Sequence, residues 1–181
     1  MAATIRIPGP LTRADLDDLP RDGRRFELID GALLVSPMAR RRHQRVVARL
    51  TTELELWSRE HGGATYPGVN VDLDERTHLE PDVAWSSDES DTGLAFTGTP
   101  ELVVEVSSPS TRAFDRGIKR AAYLSSGARE VWLVDLDADV VERHVTDAPT
   151  PEVHARGEHV TTPLLPGFRV AVGDLLGPSD A

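Results

Sequence analysis

The chain has 181 residues, 39% of them hydrophobic and 28% charged, which is one domain's length and an ordinary globular composition. Zero cysteines exclude a disulfide scaffold, a thiolate zinc site and a thiol nucleophile. A formal charge of −10 excludes the overall basic footprint of a sequence-independent DNA binder, so any contact with nucleic acid is local and needs a cation to offset the carboxylates.

In chain order, Leu11-Thr12-x-x-Asp15-Leu16 reads as a short helix start, with Thr12 as N-cap and Leu11 and Leu16 as a hydrophobic staple. Arg25 to Val35 reads as a hairpin turning at Asp30-Gly31. From about Arg40 to His61 the apolar positions Val46, Val47, Leu50, Leu54 and Trp57 recur at helical spacing, and Gly62-Gly63 ends the run. Strand-like runs follow at Thr65–Leu73, Asp82–Trp85 and Glu101–Val106, with the polar stretch from Ser86 to Pro100 expected as a surface loop. Ser110 or Thr111 caps a second long helix to about Ser126. Glu130–Leu136 and Val140–Val145 form a hairpin around Asp137-Ala138-Asp139. Short strands near Val153, Val160 and Phe168–Val172 and a last turn at Asp174–Leu176 complete the chain. This order predicts a mixed α/β fold, a central mixed sheet flanked by helices, in a single domain over 1–181. No apolar run reaches about 18 residues and no signal-peptide core opens the chain, so no membrane partner and a cytoplasmic location are expected.

Charge and spacing single out a few residues. Glu105 interrupts the apolar run Leu102-Val103-Val104-Glu105-Val106, where a buried carboxylate costs several kcal/mol unless a cation or donors meet it. The alternative is a solvated strand end or an arginine pair. Asp82, after Pro81, enters a strand of its own; if that strand pairs with the first, the two carboxylates approach and a hard divalent cation relieves their repulsion. On the second helix Arg112, Asp115, Lys119 and Tyr123 fall within about 80° of one another. Lys119 is the only lysine beside 19 arginines. It is read either as an ammonium reaching interior carboxylates or as an i,i+4 surface partner of Asp115. Glu27, between Phe26 and Leu28, is a third candidate acid or an exposed hairpin residue. His43 is a core histidine or faces the site. Arg40-Arg41-Arg42 with Arg45 and Arg49 is the one basic cluster, suited to phosphates, to a partner subunit or to solvent. Residues 1–60 carry 11 arginines against 9 acids, whereas 61–181 carry a net −12. His78, His144, His154 and His159 show no metal-ligand spacing, and no Gly-rich phosphate loop or Gly-x-Ser-x-Gly elbow occurs.

Taken together, Pro81-Asp82, Glu105-Val106-Ser107-Ser108-Pro109-Ser110-Thr111, Asp115, Lys119, Tyr123 and Glu130-Val131-Trp132-Leu133-Val134-Asp135 resemble the Uma-type putative restriction endonuclease family of the PD-(D/E)XK superfamily. Phe26-Glu27-Leu28-Ile29-Asp30-Gly31, Val35-Ser36-Pro37 and His43 fit the same group, so the resemblance spans roughly residues 15 to 145. It implies a restriction-endonuclease-like core and a Mg²⁺-dependent (Mn²⁺ as a substitute) phosphodiesterase acting on DNA. In that reading Asp82, Glu105 and the Val106 carbonyl hold the metal, and Asp82, Glu105, Lys119 and the accessory Glu27 are catalytic. His43, Arg42, Ser107 and Asp115 line or order the substrate site. The motif's usual lysine position is Ser107 here, and Lys119 on the following helix is the matching residue. A homodimer is expected because double-strand cleavage needs two sites. The rival expectations are an inactive nuclease-fold module that binds nucleic acid or protein, and a metal hydrolase of some other phosphoester.

Overall fold

The computed structural model describes residues 5–7, 9–20, 22–90, 92–107 and 111–178. Its first strand, β1 (Ile5–Ile7), lies beside a hairpin of β2 (Arg25–Ile29) and β3 (Ala32–Ser36). The hairpin turns on Asp30 and Gly31, both at positive φ, as a two-residue turn between right-twisted strands requires. A side chain at Gly31 would also meet the Leu11 carbonyl at 2.8 Å. Ahead of the hairpin, Thr12 opens a 3-10 turn (Arg13–Leu16) by donating both its N–H and its hydroxyl to Asp15. Leu11 and Leu16 pack with Phe26 on Leu28, Leu33 and Val35, so the staple closes over the hairpin's outer face.

Helix α1 (Arg41–His61) buries Val46, Leu50 and Leu54 and ends at Gly62, which is at positive φ. Beyond it the single run expected over Thr65–Leu73 is two strands, β4 (Ala64–Pro67) and β5 (Asn70–Asp74), in different sheets. Gly68, at φ +59°, makes the break. β6 (Thr77–Leu79) and β7 (Val83–Ser86) follow. The stretch expected as pure loop holds one short strand, β8 (Ala95–Thr97), which pairs in parallel with β5. β9 (Leu102–Ser107) leads to a helical segment of three parts: α2 (Arg112–Phe114), a π-helical turn (Asp115–Lys119) and α3 (Arg120–Ser125). Thr111 is at the N-cap, without a side-chain capping bond, and the expected Ser110 cap lies outside the described residues. Then come β10 (Glu130–Asp135), β11 (Val140–Val145), β12 (Glu152–Ala155), β13 (His159–Thr161), β14 (Arg169–Ala171) and α4 (Val172–Leu176).

The strands form two six-stranded mixed sheets, ordered β1-β3-β2-β6-β5-β8 and β12-β11-β10-β9-β7-β4, plus the β13-β14 pair. In the second sheet β9 is central: it runs parallel to β10 and antiparallel to β7, and its register sets Val83 against Val104. Alternation along β9 gives each face a different partner. Leu102, Val104 and Val106 join Trp85, Trp132 and the apolar stripe of α1. Val103 faces the other way, with Val131, Leu133, Tyr123 of α3 and Ile29 and Leu34 of the first sheet. The second sheet is therefore covered on both sides, and its mid-strand run reads apolar for that reason. Among the described residues no helix is long and apolar enough to cross a membrane.

Candidate active site

Glu105 continues the Val103 side of β9 and so points towards the first sheet and the π-turn helix rather than into the α1 core. The β7–β9 register, carried one residue past Val83, sets Asp82 against Glu105. Strand β2 delivers Glu27 and, two residues earlier on the same face, Arg25. The π turn brings Asp115 and Lys119 in from the other side. π turns of this kind interrupt α-helices most often where side chains serve a site. Of these six acidic and basic groups, the five other than Arg25 are 2–3% exposed.

Lys119 is the hub of the inner half. Its Nζ lies 2.7 Å from Glu105 Oε1, 2.9 Å from Glu27 Oε1 and 3.7 Å from Asp115 Oδ1. The alternatives of an exposed hairpin glutamate and a surface lysine pair therefore do not describe these residues. Tyr123, one helical turn beyond Lys119, donates its hydroxyl to Glu105 Oε1 at 3.0 Å. Glu27 Oε1 also accepts the Glu80 N–H at 3.0 Å, and Ser107 donates to Asp115 Oδ2 at 3.0 Å. Asp82 anchors the outer half. Its Oδ1 takes Arg25 Nη2 at 3.0 Å, while Oδ2 takes the Val106 N–H at 2.7 Å and stands 3.0 Å from His43 Nε2. His43, in angular line with the core stripe of α1, thus reaches the site from the end of that stripe.

Ionisation follows from these contacts. Burial works against a charged Asp82, but the His43 hydrogen bond, the Arg25 charge and the Val106 N–H outweigh it and hold the carboxyl at about 2. Glu105 behaves oppositely: burial, with Asp115, Asp82 and Glu27 close by, pushes it well above the usual carboxylate range despite Lys119. Burial also raises Asp115. Lys119 is desolvated too, yet Glu105, Glu27 and Asp115 bind its proton more tightly than water would, so its value rises. Tyr123 is held as a neutral phenol by burial and by Glu105.

Asp82 accordingly sets an acid limit to stability. Its folded value lies below its ordinary 3.8, so its contribution is full above about pH 4 and is lost as pH falls through about 2. Urea unfolding of the wild type and Asp82→Asn should show a stability gap that is constant above pH 4.5 and narrows at pH 2.5. A gap independent of pH would remove the assignment.

A cleft of about 640 Å³ opens over these groups, with Arg25, Glu27, His43, Asp82, Glu105 and Lys119 in its wall. The residues expected as substrate contacts divide. His43 faces the cleft through Asp82. Arg42 also lines it, but its guanidinium bonds the Leu136 carbonyl at 2.7 Å and Asp139 at 2.8 Å. Ser107 is buried and donates to Asp115, which is buried too but lines the cleft and faces Lys119. Arg25 was not among the expected site residues, although its place two residues before Glu27 is the signal that could have found it.

Among the described residues no three His, Asp or Glu side chains gather as a closed metal cage. Mg²⁺ needs no such cage, since it keeps several waters and takes one or two carboxylates plus substrate phosphates. Asp82 and Glu105, set side by side by strand register and beside the Val106 backbone, are a donor set of that kind. Glu105 Oε2 accepts no hydrogen bond from a described residue.

Comparisons with known proteins bear on the family and the fold. A family model described as "Putative restriction endonuclease" (Uma2) matches residues 13–173. The chain is also similar to a solved structure, a putative nuclease belonging to DUF820 from Anabaena variabilis ATCC 29413. The TM-score is 0.79 and the identity 17%, over 92% of this chain and 98% of that one. At that identity the likeness shows the fold, mixed sheets with flanking helices. No curated protein matches the chain.

Proposed function

Since the chain belongs to the Uma2 family, whose model is described as "Putative restriction endonuclease", we propose that it is a Mg²⁺-dependent DNA endonuclease hydrolysing phosphodiester bonds. The observation that supports this most is the gathering of Glu27, Glu105 and Asp115 on the one lysine of the chain, beside Asp82, in the wall of a cleft. A fold built for stability alone gains little from such a cluster, because burying four carboxylates costs more than apolar packing would.

In this reading Asp82 and Glu105, with the Val106 carbonyl, would hold Mg²⁺ (or Mn²⁺), and Glu27 would be an accessory acid. When bound, the ion would lower the pKa of a water and neutralise charge on the scissile phosphate. Lys119 contributes a fixed positive charge. Because its neighbours hold its proton firmly, it acts as a donor to a phosphate oxygen and not as a general base at neutral pH. Asp115 and Glu27 aim that ammonium, Ser107 aims Asp115, and Tyr123 holds Glu105 in place. Arg25 and His43 keep Asp82 ionised and ready as a ligand. Cleavage of both strands would call for a homodimer.

One observation favours a second reading, a nuclease fold that binds but does not cut: both Asp82 oxygens already have partners. Incubation with supercoiled plasmid in Mg²⁺, in Mn²⁺ and in EDTA, beside Mg²⁺ calorimetry, separates the two. Nicked or linear DNA with metal and none with EDTA is expected. Intact plasmid together with no heat of metal binding would overturn the nuclease reading in favour of the second one. Cutting of RNA or a generic phosphodiester in preference to DNA would move the substrate class.

A further inference from the structure

From Gly31 to Thr52 the chain runs 22 residues without an aspartate or glutamate, although 30 of its 181 residues are acidic. The same stretch holds five arginines. Two of them serve the fold: Arg42 through Asp139 and the Leu136 carbonyl, and Arg49 through the Leu175 carbonyl at 3.0 Å. Arg40, Arg41 and Arg45 are exposed, and none forms an ion pair with a described residue. Of the exposed arginines elsewhere, Arg13, Arg24 and Arg59 each pair with a carboxylate, and Arg76, Arg129 and Arg169, which do not, stand singly along the chain.

This arrangement sacrifices local stability. Arg41 and Arg45 are like charges at i,i+4, which repel along a helix. They stand at the end of α1 where the macrodipole favours anions, and the first turn holds no acid to offset them. Position gives the patch a use. Arg40 and Gln44 line the same cleft as His43 and Asp82, and from them the exposed side of the helix turns outward through Arg41 and Arg45. Among the described residues this cluster of arginines without ion pairs therefore begins at the mouth of the cleft that holds Asp82, Glu105 and Glu27.

We propose that Arg40, Arg41 and Arg45 bind backbone phosphates of the DNA just outside the cleft, so that the substrate strand crosses the start of α1 on its way to Asp82 and Glu105. The direction of approach rests on the nuclease reading; the polyanion surface rests on the charge pattern alone. Such contacts position the strand and carry no base sequence. Each phosphate contact adds about 0.9 to the slope of log affinity against log salt.

The test is the triple variant Arg40→Ala/Arg41→Ala/Arg45→Ala, assayed by anisotropy with a short labelled DNA duplex, in EDTA and again with Ca²⁺ to offset the carboxylates, over a range of salt. We expect affinity to fall at least about tenfold and the salt slope to drop by about 3. Thermal unfolding should come at or slightly above the wild-type temperature, since the repulsion along α1 is gone, and Mg²⁺ calorimetry should match the wild type, since none of the three touches the carboxylate cluster. If the wild type binds duplex and the variant binds it with equal affinity and slope, the surface is wrong while the nuclease reading stands. If the variant loses binding but neither protein cuts plasmid, the surface stands and the nuclease reading fails. A wild type that binds DNA neither in EDTA nor with Ca²⁺ overturns the surface.

Discussion

Lys119→Met is expected to destabilise the fold by about 3–5 kcal/mol at pH 7, the cost of removing one partner from a buried ion cluster, and to abolish metal-dependent cleavage. The thioether fills the space of the lysine stem but leaves Glu27, Glu105 and Asp115 without their shared cation, all within 4 Å of the vacated Nζ position. Desolvated carboxylates left this way take up protons. The variant's folded state therefore binds more protons than its unfolded state, and its deficit against the wild type should shrink as pH falls from 7 towards 4.5. Lys119→Arg should not rescue: the site presents three separate oxygens around one point, which suits an ammonium and not a planar fork. Urea unfolding at pH 7 and pH 5, with plasmid cleavage on the fraction still folded, checks both halves. Stability within about 0.5 kcal/mol of wild type at pH 7, the range of an exposed pair, would mean that the cluster does not hold Lys119 as an ion pair.

The site was legible where a residue broke a local pattern. Glu105 is conspicuous because five of the six residues of its strand are apolar or small, and Lys119 because every other basic residue is arginine. Glu27 is marked by its apolar neighbours, and the Asp30-Gly31 turn by chemistry that only a few residue pairs permit. The parts that depend on distant chain were not legible. Nothing local says that β4 and β5 part company at Gly68 to join different sheets, or that Ala95–Thr97 extends in parallel beside β5. The π turn is similarly hidden. Nothing local marks where the helix widens, and within the turn Asp115 and Lys119 are buried while the apolar Ile118 is 37% exposed. For Arg25 the sequence offers only a shared strand face with Glu27, since an arginine opening a hairpin is ordinary; its partner Asp82 lies 57 residues on.

Glu105→Gln should separate function from stability in the opposite sense to Lys119→Met. The amide oxygen can still accept from Lys119 and Tyr123, which bond Oε1 in the wild type, and Lys119 keeps Glu27 and Asp115 as counter-charges. The variant lacks only the buried negative charge. Because the folded value of Glu105 lies above its ordinary 4.5, ionising it works against folding at neutral pH. Wild type gains stability from this group as pH falls and the carboxyl takes its proton; the variant has no such dependence. Stability of Glu105→Gln should therefore equal or exceed wild type at pH 7, with the difference vanishing below about pH 4.5. Cleavage should nevertheless fall by at least about a hundredfold, the upper range seen for outer contacts of a metal site and a floor for a ligand. Excess Mn²⁺, which takes the same oxygen donors, should restore little, because the amide presents one weaker donor in place of a carboxylate. A variant that cuts at the wild-type rate would remove Glu105 from the chemistry. One that loses several kcal/mol would show that its charge serves the fold, and the cluster would then be read as an ion pair that anchors the helix to the sheet.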